Sequence, residues 1–196
     1  MPHPASRFLL TTCAAALLAA AAGAQGTTRV SVDAANAEAN GASQCPAMSL
    51  DGRYVVFASA ATNLVSPATS GRLQVYRKDR LTGAVVLVSV NTLGMEGDLA
   101  ADRPAVSADG NFVVFESTST DLVAGAFTGQ SQIYVRDVGA GTTVHASPAA
   151  GGGQSNRRCF FPAISADGTV VSFHITSTNL AATPSGVFIL VFVRDL

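Results

Sequence analysis

Two histidines, His145 and His174, are the only imidazoles beyond the extreme N-terminus of this 196-residue chain. Imidazole is the side chain best suited to proton transfer and metal ligation near neutral pH. Neither histidine stands in a pattern that would use it. The sequence contains no His-Glu-x-x-His pair, no paired cysteines at zinc spacing, no Gly-x-Ser-x-Gly elbow and no phosphate loop. A Ser-His-Asp triad meets in space rather than in sequence, and nothing selects one serine for it. Gly151-Gly152-Gly153 reads as a loop rather than a phosphate cradle. The loops VSPATSGR (65–72), VAGAFTGQ (123–130) and AATPSGV (from 181) carry no carboxylate, whereas calcium takes six to eight oxygens, several of them charged. No catalytic residue, metal site or cofactor is therefore expected. Recognition remains: Arg157 and Arg158 beside Phe160 and Phe161 make the one loop that combines charge with aromatic groups, the residue types that anchor protein contacts.

Aspartate, by contrast, is strictly spaced. Asp51, Asp109 and Asp167 lie 58 residues apart, and so do Asp79, Asp137 and Asp195. The first set belongs to SLDG at 49–52, SADG at 107–110 and SADG at 165–168. Asp-Gly between apolar segments marks a tight turn, because glycine adopts positive φ without penalty. Asp51-Gly52, Asp109-Gly110 and Asp167-Gly168 are accordingly expected to be structural turns. The second set follows Lys78, Arg136 and Arg194 and is expected to pair with turn backbone or a neighbouring unit.

The period extends to Pro46, Pro104 and Pro162, to Phe57, Phe115 and Phe173, and to Tyr76, Tyr134 and Phe192. Repeats of this length are one supersecondary unit stacked on copies of itself. Each unit reads as four strands. A short one ends in Ser-x-Asp-Gly; then come RYVVFAS, NFVVFES or TVVSFHI, and then LQVYRKD, QIYVRD or LVFVRD. The fourth is VVLVSV at 85–90 or TTVHAS at 142–147. The second strand is apolar on both faces, which requires a sheet covered on both sides. An all-β chain of such sheets is expected to stack radially as a β-propeller. A β-sandwich is the alternative, disfavoured by the undrifting register.

The signature Pro-x-x-Ser-x-Asp-Gly-x-x-Val-x-Phe, followed by Tyr/Phe-x-Arg/Lys-Asp, resembles the repeat of TolB-type, WD-like periplasmic β-propellers over about residues 28–196. The resemblance implies a secreted or periplasmic propeller that acts as a protein-binding platform. The chain differs from that pattern in having no tryptophan and only three repeats, where TolB propellers carry six blades.

The remaining expectations concern the ends and the bulk. Arg7, an apolar run over 8–22 and Ala22-Gly23-Ala24 read as a secretory signal peptide over 1–24, so the protein is expected to be periplasmic or secreted. The propeller domain then covers 25–196, with repeats at about 34–91, 92–149 and 150–196, the last incomplete. Residues 28–33 match the fourth strand of a unit and are expected to act as a closing strand. Three blades fall short of the usual four to eight. That leaves an incomplete gene product, an open arc, or a homodimer making six blades. Cys45 and Cys159 are expected to be two buried thiols rather than a disulfide. A net charge of −1 with 13% charged residues gives no attraction for nucleic acid, and no membrane span is expected after leader cleavage. The function expected is a non-enzymatic scaffold for another envelope or secreted protein. The alternatives are the propeller portion of a larger hydrolase, peptidase or lyase, and a carbohydrate-binding module, the last disfavoured by the missing tryptophan.

Overall fold

The Ser-x-Asp-Gly segments close their turns by side-chain bonding. In each, the serine hydroxyl donates to the aspartate at 2.5–2.6 Å, and the aspartate also accepts the backbone N–H of Arg53, Asn111 or Thr169. The same serine oxygen accepts from the N–H of Tyr54, Phe112 or Val170, which begins the next strand. These bonds hold each carboxyl below its ordinary range, with the serine the leading cause, and Asp167 falls to about 2. Gly52, Gly110 and Gly168 take φ of +70° to +78°, the left-handed region that glycine alone enters freely.

The computed structural model describes residues 26–125, 127–180 and 189–196; the leader reading over 1–24 and the third variable loop, 181–188, lie outside them. Eleven strands form among the described residues, in three antiparallel sheets. β1 (Ser43–Met48), β2 (Tyr54–Ser59), β3 (Gln74–Asp79) and β4 (Val85–Leu87) build the first in chain order. β5 (Ala101–Val106), β6 (Phe112–Ser117), β7 (Gln132–Asp137) and β8 (Thr142–His145) build the second. β9 (Cys159–Ile164), β10 (Val170–Ile175) and β11 (Leu190–Asp195) build a three-stranded third.

Successive side chains of a strand point to opposite faces, so each central strand feeds two cores. Val56, Val75 and Val88 of the first sheet pack against Val113, Phe115 and Tyr134 of the second. On the second sheet's other face, Val114, Ile133 and Val135 meet Cys159, Val171 and Phe173. The first sheet's remaining face, Phe57 and Tyr76 with Leu64, is covered by Val30 and Ala39 of the segment that precedes β1. Side-chain clamps fix the connections. Asn40 and Thr62-Asn63 exchange three hydrogen bonds of 2.8–3.0 Å, and Asn156 repeats the set with Thr178-Asn179. Asp98 does the same with Thr120 and Asp121. The Thr-Asn/Asp turns thus tie down the chain entering each sheet, beyond bonding their own backbone.

Two strand expectations change. The fourth strands end at Leu87 and His145, not at 90 and 147, because Ser89 and Ser147 substitute a hydroxyl for the ladder. Their Oγ atoms accept the N–H of Val75 and Ile133 at 3.0 and 2.9 Å. Residues 28–33 belong to no sheet in this chain; they carry an isolated bridge, Val32 to Glu38, which Val90 and Glu96 repeat one unit later.

Candidate functional site

The first strands of the three sheets lie side by side, and each is broken at the same place. Pairing runs through Gln44↔Ala58, Asp102↔Glu116 and Phe160↔His174, then resumes one residue out of register at Ala47↔Val56, Ala105↔Val114 and Ala163↔Ser172, two residues of the first strand standing against one of its partner. The skipped dipeptides are Cys45-Pro46, Arg103-Pro104 and Phe161-Pro162. Proline has no N–H to give a ladder, so it belongs at a bulge. The residue before it takes positive φ: 50° at Cys45, 48° at Arg103 and 54° at Phe161. Non-glycine residues enter that region at a cost of about 1–2 kcal/mol. The three bulges line one shallow groove of about 320 Å³.

The framework is constant while the residues around it differ, Ala58 and Glu116 among them buried beneath the bulges. The first sheet presents Gln44, Cys45 and Ala58, the second Asp102, Arg103 and Glu116, the third Phe160, Phe161 and His174. Neighbouring sets touch. Gln44 Nε2 donates to Asp102 Oδ2 at 3.0 Å. Arg103 forms an ion pair with Glu116, and its guanidinium lies 4.6 Å above the Phe161 ring. Glu116 Oε2 also accepts the Phe161 N–H at 3.4 Å. Burial pushes the Glu116 carboxyl up, and the Arg103 charge opposes the shift. Phe160, Phe161 and His174 pack edge to face with centroids 5.4–5.7 Å apart.

Beside this cluster a cavity of about 220 Å³ is walled by Arg103, Arg158, Phe160 and Phe161. The structure thus brings Arg158, Phe160 and Phe161 of the sequence-chosen loop together, with Phe161 54% exposed. Arg157 stands apart from that wall; its carbonyl accepts the Ser155 hydroxyl at 2.6 Å and its side chain is exposed. Arg103, Glu116 and His174 were not chosen from sequence. The signal for Arg103 was the pair preceding each repeated proline, QC, DR and FF, a variable spot inside an otherwise regular motif; Glu116 and His174 share a second variable position of the repeat with Ala58.

Little else among the described residues is chemically poised. Cys45 is exposed, against the expectation of a buried thiol, because its bulge turns it out of the sheet; Cys159 is buried, and both are free. Burial and the Asp102 charge push the Cys45 thiol up, away from the nucleophilic thiolate. Burial, with the Arg194 charge, pushes His145 down to about 4. It lies against Tyr134 and Phe127 and shares hydrogen bonds with Gln132 and Ser147. Among the described residues no three His, Cys, Asp or Glu side chains converge as metal ligands. Asp79 does pair with its turn backbone, accepting from Leu81 N–H at 2.8 Å, and with Arg53 through two bonds.

No protein-family model and no curated protein matches the chain. Solved structures do. TolB from Agrobacterium tumefaciens, so assigned, is 20% identical with a TM-score of 0.51 over 79% of this chain and 46% of its own. TolB from Acinetobacter baumannii is 21% identical with a TM-score of 0.48, over 80% of this chain and 30% of that one. Tricorn protease is 14% identical with a TM-score of 0.47, over 76% and 12%. The chain spans less than half the length of each of these proteins. The Agrobacterium similarity concerns fold: this all-β chain of stacked antiparallel sheets is TolB-like and propeller-type.

Proposed function

We propose that the chain is an exported, non-enzymatic β-propeller portion of three blades that binds another envelope or secreted protein through the edge where its first strands meet. One observation carries the reading. The same strained bulge occurs three times, and each time it displays different side chains: Cys45, Arg103 and Phe161. A device retained for folding alone would repeat its residues along with its geometry, as the Ser-x-Asp-Gly turns do. Strained backbone at a display position is characteristic of binding surfaces, and loops on a rigid scaffold are where recognition concentrates. Arg158 and Phe161 supply an exposed cation and an exposed ring on one cavity wall, the residue types enriched at hot spots. Export rests on the leader-like residues 1–24.

The test is capture from envelope extract with immobilised protein, comparing wild type, Phe161→Ala, Arg158→Ala and the remote variant Leu81→Ala. Loss of the same bound species with the first two, and retention with the third, is the expected result. Equal recovery by all four sinks the reading.

A further inference from the structure

One slot of the repeat is filled in the second unit and open in the first. Phe127, in the loop between β6 and β7, lies against Tyr134 with ring centroids 6.1 Å apart, and edge-on to His145 at 5.1 Å. One period earlier the three positions hold Thr69, Tyr76 and Leu87. Thr69 Oγ1 donates to the Ala61 carbonyl and pairs with Tyr76 Oη, both at 3.0 Å, and supplies no ring. The loop is no shorter to compensate, because the 58-residue step is kept. A groove of about 490 Å³ accordingly opens there, lined by Thr69, Val65 and Leu87 and, from the second sheet, by Arg136. Small-molecule sites commonly enclose about 300–1,000 Å³.

Arg136 gives the groove a cationic end. Its counterpart in the first sheet, Lys78, directs its ammonium to the carbonyls of Val32, Asp33 and Gly83 at 2.7–3.5 Å. Arg136 is half-buried, yet among the described residues its side chain makes one hydrogen bond, Nη1 to Thr143 Oγ1 at 3.1 Å, and no ion pair. A guanidinium carries five N–H donors, so most of them are unclaimed. The carboxylate on the groove wall, Glu96, is already engaged. Ser70 donates to it from its N–H at 2.8 Å and its hydroxyl at 2.7 Å, and Arg72 donates to that same hydroxyl oxygen at 3.3 Å. Gln154 makes the corresponding clamp to Thr128 one unit later, so Glu96 serves the loop and Arg136 is left to the groove.

We infer that this groove binds a small aromatic carboxylate, with its ring in the slot that Phe127 fills in the second unit and its anionic end at Arg136. The chain itself identifies the occupant, since a phenyl ring is what the equivalent slot holds. An apolar pocket with a few placed polar groups is the usual form of a ligand site, the polar groups fixing orientation. A guanidinium suits a carboxylate in particular, because it can offer two parallel N–H bonds. The groove lies along β4, at the opposite edge of its sheet from β1. It is therefore separate from the edge where the first strands meet, and the inference does not rest on the reading of that edge.

Ligand-observed NMR titration of the purified chain tests the proposal with N-acetylphenylalanine, its amide and N-acetylalanine. The aromatic acid is expected to bind saturably, and the other two at least about tenfold more weakly, for want of the charge or of the ring. Thr69→Phe supplies the slot with the ring that Phe127 gives the second unit. Tyr76 keeps the Ala61 carbonyl at 3.3 Å in that variant, as Tyr134 keeps that of Ser119 at 3.4 Å. Thr69→Phe is expected to weaken binding of the acid at least about tenfold with unchanged far-UV circular dichroism. Arg136→Gln is expected to weaken the acid about tenfold and leave the amide unchanged, so that the two bind alike. No saturable binding of the acid overturns the proposal. So do equal affinities of wild type for the acid and either of the other probes, undiminished binding by folded Thr69→Phe, or an acid preference that survives Arg136→Gln. Arg158 and Phe161 are untouched in these variants, so ligand binding and partner capture are read separately.

Discussion

Alanine at Gly52, Gly110 and Gly168 should cost very different amounts, although the three glycines occupy one position of the repeat and share φ of +70°, +77° and +78°. The left-handed backbone alone penalises a Cβ by about 1–2 kcal/mol. Restricting the unfolded chain returns about 0.4–1 kcal/mol. At Gly52 that is the whole effect, because a Cβ there would meet only the end of Arg80 at 3.6 Å. At Gly110 a Cβ would lie 2.1 Å from Cδ2 of Tyr54, and at Gly168 it would lie 2.3 Å from Cδ2 of Phe112. Each aromatic ring belongs to the preceding sheet and rests on the glycine of the next. Tyr54 is also pinned by the guanidiniums of Arg53 and Arg77, 4.8 and 4.4 Å from its centroid. It cannot swing aside cheaply, and overpacking of this kind costs about 1–3 kcal/mol more.

The expected destabilisation is about 1 kcal/mol for Gly52→Ala and about 2–4 kcal/mol for Gly110→Ala and Gly168→Ala. Urea unfolding followed by far-UV circular dichroism resolves the difference. In thermal scans the gap is on the order of 5 °C for a chain of this size. A double-mutant cycle assigns the cause: Tyr54→Ala should relieve Gly110→Ala, with a coupling of about 1–3 kcal/mol. Equal costs at the three glycines, or a coupling below about 0.5 kcal/mol, would refute the ring-on-glycine packing.

Further outcomes follow from the same geometry. His145 is held neutral, its pKa depressed from 6.5 to about 4 by burial and then by the Arg194 charge. Its contribution to stability is thus complete above pH 6.5 and is lost as pH falls from there toward 4. The total loss is on the order of 3 kcal/mol, and His145→Gln should flatten that limb of a stability-against-pH curve. Asp98→Asn should change urea stability by less than about 0.5 kcal/mol, since Asn40 and Asn156 make the equivalent clamps. Asp98→Ala should lose about 1–2 kcal/mol with the hydrogen bonds to Thr120. Ser107→Ala removes the partner of both Asp109 and the Phe112 N–H and should cost about 1–2 kcal/mol in the same assay.

The sheets were legible in the sequence because their determinants are local and repeated. Asp-Gly turns, doubly apolar second strands and a constant step suffice to place β2, β6 and β10 and their partners. Two things were not legible. The clamps join residues 22 and 23 positions apart through side chains of ordinary loop composition, so Asn40, Asp98 and Asn156 carry no signal until the loops are folded together. The site lay half hidden for a related reason. Arg158, Phe160 and Phe161 are visible as a charged aromatic cluster, but Arg103 and Glu116 come from the neighbouring sheet, and no sequence proximity links Phe161 to Glu116. Exposure of Cys45 was missed because alternation assigns it a face, whereas the bulge removes it from alternation altogether.

That bulge also explains how one chain keeps an unvarying scaffold and a varied surface. Side chains within the ladder of β2 or β6 are buried on both faces, so a change there disturbs one of two cores. Residues before Pro46, Pro104 and Pro162 sit outside the ladder, since the proline interrupts it without wasting a hydrogen bond. A thiol, a guanidinium and a phenyl ring occupy equivalent points there with φ values within 6° of one another. The backbone cost is thus common to the three units and independent of the side chain displayed. Substitution at Cys45 or Phe161 should accordingly move partner capture far more than stability. Arg103 is the exception, because it also neutralises the buried Glu116. Arg103→Ala leaves that carboxylate without its cation and should lower stability by about 1–3 kcal/mol, whereas Cys45→Ala should leave it within about 0.5 kcal/mol of wild type. Similar losses at both positions would mean that the bulge side chains hold the sheets together, and the distinction between scaffold and display would fail.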